Sequence, residues 1–429
     1  MNLDFIEELE WRGMLHQAIP ETRSHCQEGM RTAYIGFDPT SDSLHIGNLV
    51  GIMMLKHFQL AGHRPIALVG GATGMIGDPS GKSKERQLLD EKTLRKNQDA
   101  IKEQLSRFLD FDTAQPNHAI LVNNYDWMKD ISFISFIRDI GKHITVNYMM
   151  AKDSVRNRLS EDANEGMSFT EFTYQLVQAY DYLHLHREYD CTLQMGGSDQ
   201  WGNITTGTEL LRRIDQSKGY ALTAPLVTKA DGAKFGKSEQ GNIWLDADKT
   251  TPFAFYQYWI NTSDEDAARF IRLFTLLDQT TINAVVNEHA EAPHLRKLQQ
   301  RLAEEVTLMV HGSDELQKAQ KATQVLYGKS TFDDLKTLDE KTFLSVFDGV
   351  PQAKVQPDEL PVPIIDLLSD KSDFLASKGE ARRALQENSV SVNKQKVGTE
   401  FEITAHNLIN GKYVLINRGK KKTFLLMVE

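Results

Sequence analysis

Residues Thr32–Asn48 read TAYIGFDPTSDSLHIGN, and the two halves of this stretch differ in character. TAYIGF is apolar, β-branched and aromatic, the composition of a buried strand. Pro39 and the polar run DPTSDS stop that strand, and a helix is predicted from near Gly47 to about Gly62. A strand that runs through a polar loop into a helix opens a βαβ unit. The pattern recurs three times. RPIALV (Arg64–Val69) leads into GGATGMIGDPSGK, HAILV (His118–Val122) into NNYDW, and CTLQM (Cys191–Met195) into GGSDQWGN. Open α/β sheets bind ligands beyond the carboxyl ends of their strands, so four polar loops are expected to converge on one site.

The whole chain sets the bounds. At 429 residues two or three domains are expected. A hydrophobic share of 40% and a charged share of 25% describe an ordinary soluble globular protein. No apolar run approaches the roughly 18 to 20 residues of a membrane span, so no membrane is expected as partner. The start, MNLDFIEELEWRGML, is acidic and periodically apolar, which suits a surface helix and not a secretory leader. Two cysteines, Cys26 and Cys191, offer no disulfide framework or cysteine-rich zinc site, which fits a reducing, cytoplasmic setting. The net charge of −10 argues against a protein that coats nucleic acid indiscriminately. From Val362 onward, however, 11 Lys/Arg face 8 Asp/Glu. A mildly basic tail suits an RNA-contacting appendage, and a solvated charged surface is the plainer alternative.

Beyond Thr251 the aromatic run FAFYQYWI and long amphipathic stretches predict helices to about Tyr327, with the aromatics as helix core. Residues 328–360 are polar, contain DGVPQAKVQPDELP and read as a linker. The remainder combines a helical stretch, KGEARRALQEN, with short strands in SVSVNKQKV, YVLINRG and TFLLMV.

Two loops carry phosphate chemistry in their residue types. A helix start near Gly47 offers free N–H groups and positive dipole, and Thr40 and His45 can donate to phosphate oxygens. Far along the chain, Lys234-Phe235-Gly236-Lys237-Ser238 follows a strand and tight turn, and its two lysines could reach a triphosphate together. Alone, each has a plain reading, a capping histidine and a solvated basic loop. In order and separation, HIGN and KFGKS resemble the HIGH and KMSKS signatures of class I aminoacyl-tRNA synthetases. YIGFDPTSDSLHIGN, GGATGMIGDPSG, SFTEFTYQLVQAYD, LQMGGSDQWGN and KADGAKFGKS are similar to the bacterial tyrosyl-tRNA synthetases, over nearly the whole chain. Asn48 departs from the usual second histidine, and Phe235 and Gly236 from the usual Met and Ser.

The resemblance implies an α/β fold: a Rossmann-like parallel-sheet catalytic domain, then an α-helical domain and a small α+β RNA-binding domain. The expected bounds are 1–228 for the catalytic domain with a helical insertion at about 125–170. The KFGKS loop region follows at 229–250, the α-helical anticodon-side domain at 251–327, the linker at 328–360 and the RNA-binding domain at 361–429. It implies activation of L-tyrosine by ATP, accompanied by Mg²⁺ without a protein metal site, and transfer to tRNA(Tyr) by a homodimer.

Spacing puts Tyr174, Gln178 and Asp181 on one helix face, at i, i+4 and i+7, with a core Tyr174 and a surface Asp181 as the plainer alternative. By resemblance, Tyr174, Gln178 and Asp78 hold the substrate ammonium, and Asp181 and Tyr34 meet its phenol. Gln200, Asn123 and Gln194 complete that pocket. Thr40 and His45 serve the pyrophosphate end of the transition state, and Lys82, Arg86, Lys234 and Lys237 close over the triphosphate. Gly36, Asp38, His45, Gly47, Asn48, Asp199 and Lys237, with backbone near Gly196 and Gly197, face the nucleotide. Arg382, Arg383, Lys394, Lys396 and the cluster Arg418 to Lys422, including Lys420, are the candidates for RNA phosphates. Three rivals are a tryptophanyl enzyme, a small-molecule nucleotidyltransferase and a non-catalytic RNA-binding relative. Asp181 with its YQLVQAYD spacing, the chain length, and the retained His45, Lys234 and Lys237 argue against each in turn.

Overall fold

The strand-forming runs of the first half pair side by side in one six-stranded sheet. Its strands are β1 (Gln17–Ala18), β2 (Thr32–Phe37), β3 (Arg64–Val69), β4 (Ile120–Asn123), β5 (Cys191–Gly197) and β6 (Tyr220–Ala224). The spatial order is β1-β6-β5-β2-β3-β4. All neighbours are parallel except β1, which runs antiparallel to β6. The structure is a computed structural model that describes residues 3–80, 90–159, 166–232, 235–238, 241–327, 331–347, 350–372, 374–419 and 422–429.

From β2 the chain steps outward to β3 and β4, then crosses back to lay β5 on the other side of β2. The topological switch therefore lies between β2 and β5, where such sheets open a crevice. The paired positions there end at Tyr34↔Gln194, although β2 runs on to Phe37 and β5 to Gly197. Below that point the sheet is closed by core. Tyr34, Ile66, Tyr182, Leu183 and Leu210 are buried in one apolar cluster with the flanking helices.

The helix Phe169–Tyr189 leans on this switch point. Ser168 caps it, accepting from the Glu171 N–H at 3.2 Å, while Glu171 turns back toward the Ser168 N–H. Arg158 grips the same Glu171 with two hydrogen bonds of 3.0 and 2.9 Å, both side chains buried. Two opposed charges and a cap thus fix the start of the helix one turn before Tyr174.

The chain divides into two compact units, 1–250 with 259–310, and 251–258 with 311–429. The helical stretch expected as one domain over 251–327 is therefore shared between them. In the second unit, Gln395–Lys396, Val390–Val392, Tyr413–Arg418, Lys422–Val428 and Gln352–Val355 form a five-stranded sheet in that order. The helices Ile364–Ser369 and Lys378–Gln386 share its core through Leu367, Leu385, Val390, Val414 and Leu426.

The linker expectation for 328–360 is corrected. Its described residues include helices Phe332–Lys336 and Glu340–Val346 and the edge strand Gln352–Val355. Leu335, Leu338 and Phe343 are buried in a cluster with Tyr413, Leu415 and Leu425. Polar composition hid an apolar face that only tertiary packing reveals. Among the described residues, no helix is long and apolar enough to cross a membrane.

Candidate active site

The strand-end loops meet at a cavity of about 460 Å³ in the first unit, of the size that takes a small-molecule substrate. Thirteen residues singled out in the sequence line it: Tyr34, Gly36, Asp38, Thr40, His45, Gly47, Asn48, Asp78, Tyr174, Gln178, Asp181, Asp199 and Gln200. Gln194, Gly196 and Gly197 join them. Lys82, Arg86, Lys234 and Lys420 lie outside the described residues, as does the side chain of Lys237.

Several buried polar groups around the cavity have no hydrogen-bond partner among the described residues. Tyr34 is 1% exposed, and its hydroxyl has no hydrogen-bond partner among the described residues. The same holds for the Oε1 atoms of Gln178 and Gln194. Unpaired buried polar atoms cost about 1–3 kcal/mol each, so atoms left this way around a cavity suit a polar ligand. Burial, reinforced by the nearby Asp181 charge, holds the Tyr34 phenol well above its ordinary range, so it remains a neutral O–H donor.

Asp181 is fully buried. Asn124 Nδ2 donates to one carboxylate oxygen at 2.9 Å and Trp127 Nε1 to the other at 3.0 Å. Burial pushes its pKa up to about 7, the two donors pull it down, and Asp38 adds a smaller upward push. A neutral-pH carboxyl at the bottom of a cavity marks a functional-site candidate. Asn124 and Trp127 were missed in the sequence, although both lie in the NNYDW loop. Asn123, named instead, is corrected: its Oδ1 accepts from the Gly71 and Tyr125 N–H groups and its Nδ2 donates to Gln98. It stitches two loops together and is absent from the cavity wall. Asn123 ends β4 and Asn124 begins the turn, a difference of register that two identical residue types conceal.

Higher on the same helix, the Tyr174 hydroxyl donates to Asp38 at 3.0 Å, and Thr73, also missed, donates to the other Asp38 oxygen at 2.7 Å. Spending its proton on Asp38 leaves the Tyr174 oxygen as an acceptor, the polarity an ammonium needs. Asp78 is oriented by Gln200 Nε2 at 2.7 Å and by the Ser80 N–H at 2.9 Å.

The two signature loops touch. His45 Nδ1 accepts from the Gly47 N–H at 3.0 Å, so the neutral ring carries its proton on Nε2. Asn48 Oδ1 accepts from the His45 N–H at 3.0 Å, which gives the departure at position 48 a local role as cap. A Cβ on Gly47 would fall 2.7 Å from the His45 ring. Gly236 lies against Ile46 and Gly47 at φ +85°, a backbone conformation that other residues rarely adopt, which accounts for glycine at this place in KFGKS. Phe235 packs against Phe270 and Phe274 with ring centroids 5.0 and 5.1 Å apart, an aromatic anchor for its own loop.

Among the RNA candidates, Arg382, Arg383 and Lys396 are exposed. Arg418 is instead ion-paired with Glu380 at 2.6 Å. The Lys394 ammonium is half-buried and donates to the Val325 carbonyl. Neither position offers the unengaged cation that the sequence suggested.

Comparison with known proteins places this geometry. Residues 27–328 match the family of class I tRNA synthetases (W and Y), and residues 342–426 match the C-terminal domain of tyrosine–tRNA ligases of the SYY type. A tyrosine–tRNA ligase of Porphyromonas gingivalis is 60% identical over 430 residues, covering 100% of both chains. The chain belongs to the tyrosine–tRNA ligase family. A second family member, from Flavobacterium psychrophilum, is 60% identical, covering 99% of this chain and 100% of its own. The solved C-terminally truncated mitochondrial tyrosyl-tRNA synthetase of Aspergillus nidulans superposes with a TM-score of 0.67 at 30% identity. That match covers 75% of this chain and 94% of the other.

The ionisation of Asp181 should be visible in stability. Its folded pKa lies above the unfolded value, so its contribution is full below about pH 4 and is lost as pH rises through about 7. Asp181→Asn cannot ionise. Whatever fixed offset the substitution brings, the unfolding midpoint of the variant minus that of the native protein should climb from about pH 5 to about pH 8. Thermal unfolding across that range checks it, and a flat difference would refute the burial argument.

Proposed function

We infer that this chain activates L-tyrosine with ATP and transfers it to tRNA(Tyr). The carboxylate of tyrosine attacks the α-phosphorus of ATP, pyrophosphate leaves, and tyrosyl-AMP then passes its tyrosyl group to the 3′-terminal adenosine. The observation that carries this reading is the pair at the bottom of the cavity, a Tyr34 hydroxyl with no acceptor among the described residues and a buried Asp181 carboxylate. A phenol is donor and acceptor at once. It donates to Asp181 and accepts from Tyr34, whereas phenylalanine leaves the Tyr34 hydroxyl without a partner and the remaining acceptor capacity of Asp181 unfilled. Tyrosyl-tRNA synthetases are themselves the established example of such discrimination, about 10⁵ without editing, so that figure is a known property of the family and not a prediction from this structure.

At the other end of the substrate, the Gln178 Oε1, the Tyr174 oxygen and the Asp78 carboxylate supply acceptors for the ammonium. Adenylation of this kind needs no covalent protein intermediate, so positioning and charge stabilisation carry the rate. His45, with its proton on Nε2, and Thr40 at the cavity rim are suited to the departing phosphates. Lys82, Arg86, Lys234 and Lys237 are assigned to the triphosphate by family resemblance, and Gly36, Gly47, Asn48 and Asp199 to the nucleotide. Among the described residues no three His, Cys, Asp or Glu side chains converge as a metal cage. Mg²⁺, implied by the family resemblance, would supply charge neutralisation at the triphosphate. Exposed Arg382, Arg383 and Lys396 of the small domain are the RNA phosphate contacts supported by the second unit. Both cysteines are buried and unpaired, which fits a cytoplasmic protein.

A homodimer is supported by the insertion. Of 14 exposed large hydrophobic residues among those described, seven lie between Phe133 and Phe169. The helix Phe133–Asp139 turns Phe136 inward onto Tyr180, with centroids 6.1 Å apart, yet leaves Phe133 and Ile134 63% and 69% exposed. A helix apolar on both faces is covered on both, and a second copy of this chain is the proposed cover.

Tyrosine-dependent exchange of labelled pyrophosphate into ATP, without tRNA, tests the activity. Exchange is expected with tyrosine and not with phenylalanine or tryptophan, and to fall by at least about a hundredfold in Asp181→Ala. Exchange with tryptophan in place of tyrosine would sink the pocket assignment. For the dimer, Ile134→Asp should shift the mass in solution from two chains to one at micromolar concentration, read by light scattering. An unchanged mass of two chains would place the interface elsewhere.

A further inference from the structure

His45 is held by its own loop at two points, Nδ1 and the backbone N–H. Neither contact supports the flank of the imidazole. That support comes from a segment about 200 positions along the chain, which no motif marks. His45 and Trp244 form an isolated antiparallel bridge. It is flanked by Ile46 N–H to Ile243 O at 2.9 Å and Leu245 N–H to Leu44 O at 2.8 Å. The indole of Trp244 meets the imidazole edge-to-face, with centroids 5.9 Å apart and planes at 66°. The Lys249 ammonium lies over the same indole, 5.0 Å from the ring centroid, and is ion-paired to Asp42 in the loop that bears His45. The contacts therefore close a ring from Asp42 through Lys249 and Trp244 back to His45. The same segment continues to the second signature loop, since the Ile243 N–H donates to the Gly236 carbonyl at 3.0 Å.

We propose that Trp244 is a positioning residue for His45, holding the imidazole so that its Nε2–H faces the phosphates during adenylation. The inference rests on the activity proposed above and adds to it a residue outside both motifs. An aromatic ring in edge-to-face contact restricts rotation of the imidazole without competing for its nitrogens. Small losses of alignment at a group that stabilises developing charge are felt in kcat. Ground-state binding of tyrosine, whose contacts lie deeper in the cavity, does not depend on it.

The test is pyrophosphate exchange with the full-length protein in a double-mutant cycle. Trp244→Leu should lower kcat by about tenfold with the KM for tyrosine unchanged, and Trp244→Phe should keep most of the rate. In a His45→Ala background, Trp244→Leu should add no further loss, because the group it positions is gone. An unchanged kcat in Trp244→Leu overturns the proposal, as does an equal further loss in the His45→Ala background. A rise in the tyrosine KM that parallels a fall in unfolding midpoint likewise assigns Trp244 a structural role only and overturns it. Absence of exchange in the native protein would instead strike the activity on which the inference rests.

Discussion

Asp181 has no exposure to water, and its two oxygens are held by Asn124 and Trp127. The charged group that bears on it is a second carboxylate, Asp38. Burial therefore dominates, and its pKa is pushed up to about 7. A structural carboxylate in such a place would ordinarily be paired with a cation. Here the remaining capacity faces a cavity, beside a Tyr34 hydroxyl that also lacks a partner among the described residues. The rest of the first unit is arranged to keep this pair dry and fixed. The capped and ion-paired start of the helix Phe169–Tyr189 sets the height of Asp181, and the parting of β2 from β5 sets the position of Tyr34.

The opposite end of the cavity follows a different logic. There the residues are partly exposed, and the loops are held by backbone contacts instead of burial. His45 is stitched to the segment around Trp244, and Gly236 rests on Gly47. One cavity thus combines a buried end, where the proposed function puts the tyrosine ring and its hydroxyl, with a more open end where it puts the nucleotide. In that proposal, specificity and phosphate chemistry are separated in space, and the helix Phe169–Tyr189 carries Tyr174, Gln178 and Asp181 along the cavity.

Much of this was legible because strand composition and loop polarity are local properties. TAYIGF and the three runs like it announced a parallel sheet, and helical spacing alone put Tyr174, Gln178 and Asp181 on one face. The nucleotide roles rest on motif resemblance alone and stay part of the proposal. What escaped depends on register and on distant packing. The choice between Asn123 and Asn124 turns on a single residue at the end of a strand. The hydrogen bond from Tyr174 to Asp38 joins residues on separate elements, and Thr73 reads as an ordinary helix residue. The buried face of 332–347 was masked by its many acids and lysines. Arg418 and Lys394 looked available because sequence does not show Glu380 or the Val325 carbonyl beside them. Trp244 carries no motif at all, and only the bridge to His45 gives it meaning.

In the proposed reading, a carboxyl held near neutrality by burial is the acceptor for a phenol. Binding must then change its protonation, since a hydrogen bond to the charged form favours ionisation. Calorimetric titration of tyrosine at about pH 6.5, in buffers of different ionisation enthalpy, measures the protons exchanged on binding. Net release of roughly half a proton or more per site is expected, abolished in Asp181→Asn. Binding with no proton release, or with the same release in the variant, would show that Asp181 does not accept the phenol as a carboxylate.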